Sequence, residues 1–150
     1  MYKSILVATD GSTLSAEAVR QAVLLAKSIG AKLTVFNAMP SYETFVNERY
    51  NVLPVLAAPV KKKYKEEFAA ASKKILDEAC AQGAAAGIDC ARVSVTSESP
   101  YEAIIKQAMK SKCDLIMMAS HGRKGLDGFL IGSETQKVLT HSKIPVLVVR

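Results

Sequence analysis

Cysteine is scarce in this sequence, and the three present, Cys80, Cys90 and Cys113, are scattered. An odd, dispersed set argues against a disulfide framework and against zinc-ligand spacing. It fits small buried hydrophobic side chains in a reducing compartment, so a cytoplasmic location is expected. Aromatic residues are also few, at 6%. They do not interleave with the lysines, which argues against a nucleic-acid surface despite a net charge of +6. The basic residues fall instead on helical stretches, as in Lys61-Lys62-Lys63 with Lys65, and Lys73-Lys74, where a solvated face is the expected reading. A mild general attraction for anions, nucleotides among them, follows from the charge. No apolar run approaches the roughly 18–20 residues of a membrane-spanning helix. The opening, MYKSILVATD, lacks the basic head and long apolar core of a signal peptide, so no leader is expected. There is no GxxxxGKS or GxxxxGKT, which excludes a P-loop NTPase, and no GxGxxG after the first strand, which disfavours a dinucleotide cofactor. Metal-ligand spacing is likewise missing.

What is present reads as one α/β domain over residues 1–150. A chain of 150 residues buries roughly 68–70% of its unfolded surface and needs no staples. Lys3 to Thr9 is a short β-type run. Asp10-Gly11-Ser12 is a turn, with Ser12 or Thr13 able to cap the next helix. From Leu14, apolar Val19, Ala22, Val23, Ala26 and Ile29 recur at threes and fours up to the stop at Gly30. Ala31 to Met39 is the second strand. Pro40 to Pro59 shows no clear period and is expected to be an irregular excursion. Lys61 to Ala86 reads as a long helix with a stripe of Phe68, Ala71, Ile75, Ala79 and Gln82, ended by Gly87. Ile88 to Thr96 is the third strand. Ser99 is expected to cap a helix that begins at Pro100, with Glu102 completing a capping box and Ala103, Ile104, Ala108 and Met109 facing inward. Asp114 to Ala119 is the fourth strand and Ile144 to Arg150 the fifth. Between them a helix from about Glu134 to His141 is expected, with Ser133 as its cap and Gln136 completing the box. Strand–helix alternation of this kind predicts a doubly wound parallel sheet with helices on both faces.

The stretch around which the rest is organised is Asp114 to Thr135. Leu115 to Ala119 is apolar without a charge, as in a strand buried on both faces. A loop with Gly122, Gly125, Gly128 and Gly132 follows, and then a helix start. Glycines let backbone N–H groups approach an anion closely, and the first turn of a helix carries unpaired N–H groups and a positive dipole end. In doubly wound sheets the ligand crevice lies outside the carboxyl ends of the strands, where the strand order reverses. If the first and fourth strands are neighbours there, the loop Thr9 to Ser12 meets the glycine loop. Asp10 alone could serve the turn or the helix dipole; beside a glycine loop it is read as a site residue. His121 is read as loop-positioning or phosphate-adjacent, since no Ser–His–Asp spacing supports catalysis. His141 suits the end of a helix dipole. Arg123 and Lys124 could equally neutralise phosphates or solvate the loop.

These motifs resemble the universal stress protein family. The resemblance rests on Ala8-Thr9-Asp10-Gly11-Ser12 at the end of the first strand, on Ala119-Ser120-His121-Gly122 followed after nine residues by Gly132-Ser133, and on the closing Pro145-Val146-Leu147-Val148-Val149. It implies a five-stranded sheet in the order 3-2-1-4-5, a homodimer, and a cytoplasmic binding and signalling module that takes ATP, with or without a divalent ion; the apolar C-terminal strand, as a sheet edge, would be the element that pairs across the two-fold axis. Carried over by position, Asp10 would lie by the base and ribose, with Thr9 before it among the nucleotide-binding residues, and Ala38 would contact adenine through its backbone. Met118 and Ala119 would line the ribose side, with His121 beside the phosphates. Gly122 and Gly132 would shape the phosphate loop, with Ser133, Glu134 and Thr135 at the helix start and the hydroxyls of Ser133 and Thr135 offered to the phosphates. Ala119 stands where ATP-binding members have their first glycine, and Glu134 where many members have an apolar residue. Those two departures motivate a second reading, a nucleotide-independent dimeric interaction protein. No residue is identifiable as a base poised on water, so rapid hydrolysis is not expected.

Overall fold

The computed structural model describes residues 1–50, 58–122 and 131–150. In chain order it contains β1 (Ser4–Ala8), α1 (Thr13–Ile29), β2 (Lys32–Met39), α2 (Tyr42–Tyr50), α3 (Ala58–Ala85), β3 (Cys90–Thr96), α4 (Pro100–Lys110), β4 (Leu115–Ala119), α5 (Ser133–His141) and β5 (Val146–Val149). The five strands form one parallel sheet in the order β3-β2-β1-β4-β5, the doubly wound order that the sequence resemblance implied. β1 sits at the centre, and its Ile5, Leu6 and Val7 are fully buried. Alternation along the strand sends Ile5 and Val7 to a core shared with α1 and α3, and Leu6 to a core shared with α4 and α5. Each such side chain contributes about 1.5–3 kcal/mol through burial.

α1 begins and ends as its sequence indicates. Ser12 accepts a hydrogen bond from the Ser15 N–H, and Gly30 takes the left-handed conformation at φ 68° that closes the last turn. Val19, Ala22, Val23 and Ala26 are buried. All three cysteines are buried free thiols.

The excursion expected over Pro40 to Pro59 is corrected at both ends, where residues 42–50 form α2 and α3 begins at Ala58 instead of Lys61; residues 51–57 lie outside the described residues. Ser41 caps this helix by accepting the Thr44 N–H at 3.1 Å. Its inner face, Tyr42 and Val46, packs on Tyr64 of α3, with Phe45 and Phe68 around it. Such an aromatic face needs its partner before it reads as helical, so it shows no plain period. The stripe expected on α3 is also shifted. Tyr64, Ser72, Leu76, Ala79, Cys80 and Gly83 are buried, whereas Ala71 is exposed. Alanines on every side blur the periodicity of this helix, and two of the inward residues, Ser72 and Gly83, are not apolar in a sequence sense.

In α4, Ile104 and Ala108 face inward, but Met109 is 66% exposed, against expectation. Pro100 is the first helical residue as expected, yet the side chain of Ser99 makes no capping bond. Its own N–H and C=O are both held by the Ser97 hydroxyl, and the helix start is capped from α5 instead, as described below.

Candidate functional site

At the carboxyl end of the sheet β1 lies between β2 and β4, so the chain leaves β1 at the point where the strand order reverses. The loop there is tightly tied. The Thr9 N–H continues the ladder by donating to the Phe36 carbonyl at 2.9 Å. The Ser12 N–H donates to Asp10 Oδ1 at 2.9 Å, and the Gly11 N–H donates to Thr9 Oγ1 at 3.2 Å. Gly11 itself adopts φ 76°, which glycine reaches without strain. The Thr9 and Ser15 hydroxyls lie 2.9 Å apart, and the Ser15 hydroxyl donates to the Ser12 carbonyl at 3.0 Å. Thr9 is therefore the donor to Ser15. The loop is pinned to the first turn of α1 before any ligand arrives.

Directly across stands the start of the second loop. A Cβ added at Gly122 would collide with Asp10 Oδ2. The two loops thus meet, and they meet only because position 122 has no side chain. The far end of the second loop returns just as closely. The Gly132 N–H donates to the Ser120 carbonyl at 2.7 Å, and a Cβ on Gly132 would lie 3.1 Å from His121 Cα. The Thr135 hydroxyl donates to the Ala119 carbonyl at 2.9 Å. β4 and α5 are thereby drawn together, so that the N-terminal first turn of α5 opens at the same sheet end as Asp10. Arg123, Lys124, Gly125 and Gly128 lie outside the described residues.

Ala38 lies two residues beyond Phe36, the last β2 residue paired with β1. The backbone groups of Phe36 point toward β1, where its carbonyl receives Thr9. By strand parity those of Ala38 point the same way, past the end of β1 and into the crevice.

Several sequence expectations change in detail. Ser133 does not cap α5. Gly132 is the N-cap residue, no side chain caps there, and Ser133 is the first helical residue and exposed. The tight return of Gly132 onto Ser120 sets the helix start one residue earlier, and the box with Gln136 gives way to a backbone bond from the Gln136 N–H to the Gly132 carbonyl. The Thr135 hydroxyl is not offered to a ligand, because it is buried and spent on Ala119. The side chains of Met118 and Ala119 are buried in the cores on opposite faces of the sheet, so these two residues can line the crevice only through their backbone. For the same reason the Ala119 methyl points into the core shared with α1 and α3. Glu134 turns away from the crevice. Its Oε2 accepts the Tyr101 N–H at 3.0 Å and caps α4, and its Oε1 accepts Lys137 Nζ at 2.8 Å. His121 is half-buried, with Nδ1 3.2 Å from the Ser120 hydroxyl. Among the described residues no cluster of His, Cys, Asp and Glu is placed to hold a metal ion.

Sequence reasoning missed Asn37, Ser72 and Ser15. Asn37 is only 2% exposed, and its amide bonds the Thr9 carbonyl. A lone amide between apolar Phe36 and Ala38 was a signal available in the sequence.

Fold and loops together define a doubly wound α/β protein in which two loops and a helix N-terminus meet at the reversal point of the sheet. The universal stress protein family model matches residues 1–150, and the chain belongs to that family. It is 31% identical to Universal stress protein MJ0531 of Methanocaldococcus jannaschii, covering 100% of this chain and 83% of that protein. The solved structure of hypothetical protein MJ0577 superposes with a TM-score of 0.81 at 26% identity, covering 99% of this chain and 96% of that one. A universal stress protein solved in complex with cAMP matches at 29% identity with a TM-score of 0.68, covering 99% of this chain and 97% of that one.

Proposed function

We propose that this protein is an adenine-nucleotide-binding module that takes ATP at the reversal point of the sheet and acts in the stress response by binding and signalling rather than by turnover. The observation that carries this reading is the side-chain-free approach of Gly122 to Asp10. It sets a carboxylate able to accept ribose hydroxyls beside a loop that leads to a helix N-terminus. The base would lie along the Ala38 backbone at the ends of β1 and β2, the ribose by Thr9, Asp10 and the backbone of Met118 and Ala119. The phosphates would lie by His121, Gly122, Gly132 and the N–H groups of Ser133, Glu134 and Thr135, with or without a divalent ion. The cAMP complex of a relative supports the ligand class. Three reduced, buried cysteines fit a cytoplasmic setting, and the domain is taken as residues 1–150.

Calorimetry on protein stripped of endogenous small molecules tests the reading. Heat of binding with AMP, ADP or ATP is expected, and silence from all three at millimolar concentration ends it. A homodimer through β5 belongs to the same proposal. β5 pairs with β4 on one side only, and Leu147 on this edge is 38% exposed. Sedimentation is expected to show a dimer that Leu147→Lys converts to monomer. A monomer at all concentrations refutes it. A β5 dimer with no nucleotide heat would favour the second reading, an interaction protein independent of nucleotide.

A further inference from the structure

A chain of polar groups, buried at Asn37 and Ser72 and reaching the exposed Ser94, runs from the middle of α3 to the Asp10 loop, and nothing in the nucleotide reading itself requires it. Asn37 Nδ2 donates to the Thr9 carbonyl at 2.7 Å. The Ser72 hydroxyl donates to Asn37 Oδ1 at 2.7 Å, and the Ser94 hydroxyl lies 2.6 Å from Ser72 Oγ. The direction of the donors is forced. A carbonyl can only accept, so the NH2 of Asn37 must face Thr9 and its oxygen must face Ser72. The single proton of Ser72 is then spent, and Ser94 must donate to it. Every member is satisfied, and Asn37 and Ser72 are 2% and 1% exposed. Satisfied buried networks of this kind hold one geometry, because breaking any link strands a polar group without water.

The place at which this chain ends matters. Thr9 is the last residue before Asp10. Its N–H is held by Phe36, its hydroxyl by Ser15 and Gly11, and its carbonyl by Asn37. β2 thus grips Thr9 twice, once through backbone and once through the Asn37 side chain. The peptide that carries the Asp10 N–H is the one whose oxygen Asn37 holds.

We propose that Asn37 is a positioning residue for the nucleotide site. Its amide, oriented by Ser72, fixes the Thr9–Asp10 peptide plane and so aims the Asp10 carboxylate across the crevice at Gly122. This inference rests on the nucleotide reading for its consequence in affinity, but the positioning itself is measurable without ligand. An aliphatic residue at 37 would leave the Thr9 carbonyl without its Asn37 donor and the Ser72 hydroxyl with Ser94 alone. An ionised aspartate of the same shape would accept from Ser72 but offer nothing to Thr9 except repulsion. A protonated aspartate would restore the donor. Burial raises a carboxyl pKa, so Asn37→Asp regains the donor as pH falls and loses it as pH rises.

The experiment is AMP calorimetry on Asn37→Asp at about pH 8 and about pH 5.5, each normalised to the wild type at the same pH to remove the contribution of Asp10 itself. The expected result is an affinity loss of about tenfold or more at the higher pH that shrinks to about threefold or less at the lower. Ile104→Ala, buried on the opposite face of the sheet, serves as the control. It lowers the melting temperature without changing AMP affinity, which separates positioning from general loss of stability. Wild-type affinity in Asn37→Asp at the higher pH, or a loss that fails to recover in a folded protein at the lower, overturns the proposal. Should Asn37→Asp not fold, Ser72→Ala removes only the group that orients the amide. It is expected to weaken AMP binding about threefold, and no change overturns the proposal. Should the wild type bind none of AMP, ADP and ATP, the nucleotide reading fails on its own. Positioning is then judged by amide exchange at Gly11 and Ser12, expected to quicken at least about tenfold in Asn37→Asp at the higher pH; equal rates overturn it.

Discussion

At the scale of single residues, two glycines decide whether the crevice exists, and for different reasons. Gly122 is exposed, and its hydrogen faces the Asp10 carboxylate. Gly122→Ala is therefore expected to cost little stability but to weaken AMP binding at least about tenfold, because Asp10 must swing away. Calorimetry beside a melting curve distinguishes the two effects. Gly132 faces backbone, with His121 Cα at 3.1 Å and the Ser120 carbonyl at 3.3 Å from an added Cβ. Backbone cannot swing aside, so Gly132→Ala is expected to lower stability by about 1–3 kcal/mol, read by chemical denaturation. Both glycines stood out in the sequence as motif positions. That they are needed for protein–protein approach within the fold, and not only for a ligand, was not legible, because the contacting atoms lie more than a hundred residues away or across a loop. The cysteines are a plainer case. Burial pushes the Cys90 thiol from its ordinary value of 9.0 up to about 11, and pushes Cys80 and Cys113 upward too. The Cys90 thiolate is therefore disfavoured near neutral pH. Iodoacetamide is expected to leave all three unlabelled in the native protein and to label all three in denaturant; fast native labelling would contradict the burial.

At the scale of elements, α4 and α5 are joined through Glu134, a residue that looked misplaced for a phosphate site. Its carboxylate supplies the cap that Ser99 does not. Glu134→Ala is expected to cost about 1 kcal/mol in chemical denaturation, nearly all of it from the cap, since the Lys137 pair is exposed. AMP affinity is expected to stay within about twofold, and a larger change would mean that the side chain faces the ligand after all. Helix starts and stops were readable where local chemistry alone settles them, as at Ser12 and Gly30 of α1. They were misread at Ser99 and Ser133, where a group from another element or a tight backbone return supplies the bond. α2 was missed for a related reason, since its inner face is completed by Tyr64 and Phe68, which the local pattern does not contain.

At the scale of the whole molecule, Asp114 ties the start of the chain to the sheet. Its carboxylate accepts the Ser4 N–H at 3.0 Å and the Lys3 N–H at 2.9 Å, and these backbone bonds, that of Ser4 foremost, hold its pKa below the ordinary 3.8. A carboxyl depressed in the folded state lends stability that is complete above the unfolded value and is lost as pH falls below it. Asp114→Asn is expected to be less stable near neutral pH and to lose less between about pH 5 and about pH 2 than the wild type does. Equal acid sensitivity would remove Asp114 from that account. Alternating apolar strands and amphipathic helices, the two cap residues of α1, and the paired motifs at the ends of β1 and β4 were determined by the sequence alone, because each depends on neighbours within a few positions. The tertiary structure decided which side of Glu134 faces what, that Thr135 spends its hydroxyl on Ala119, that the Ala119 methyl belongs to the core, and that Asn37 reaches across to Thr9. Those outcomes depend on atoms brought together only when β1 is laid between β2 and β4, and a buried polar group takes whichever partner that packing leaves within reach.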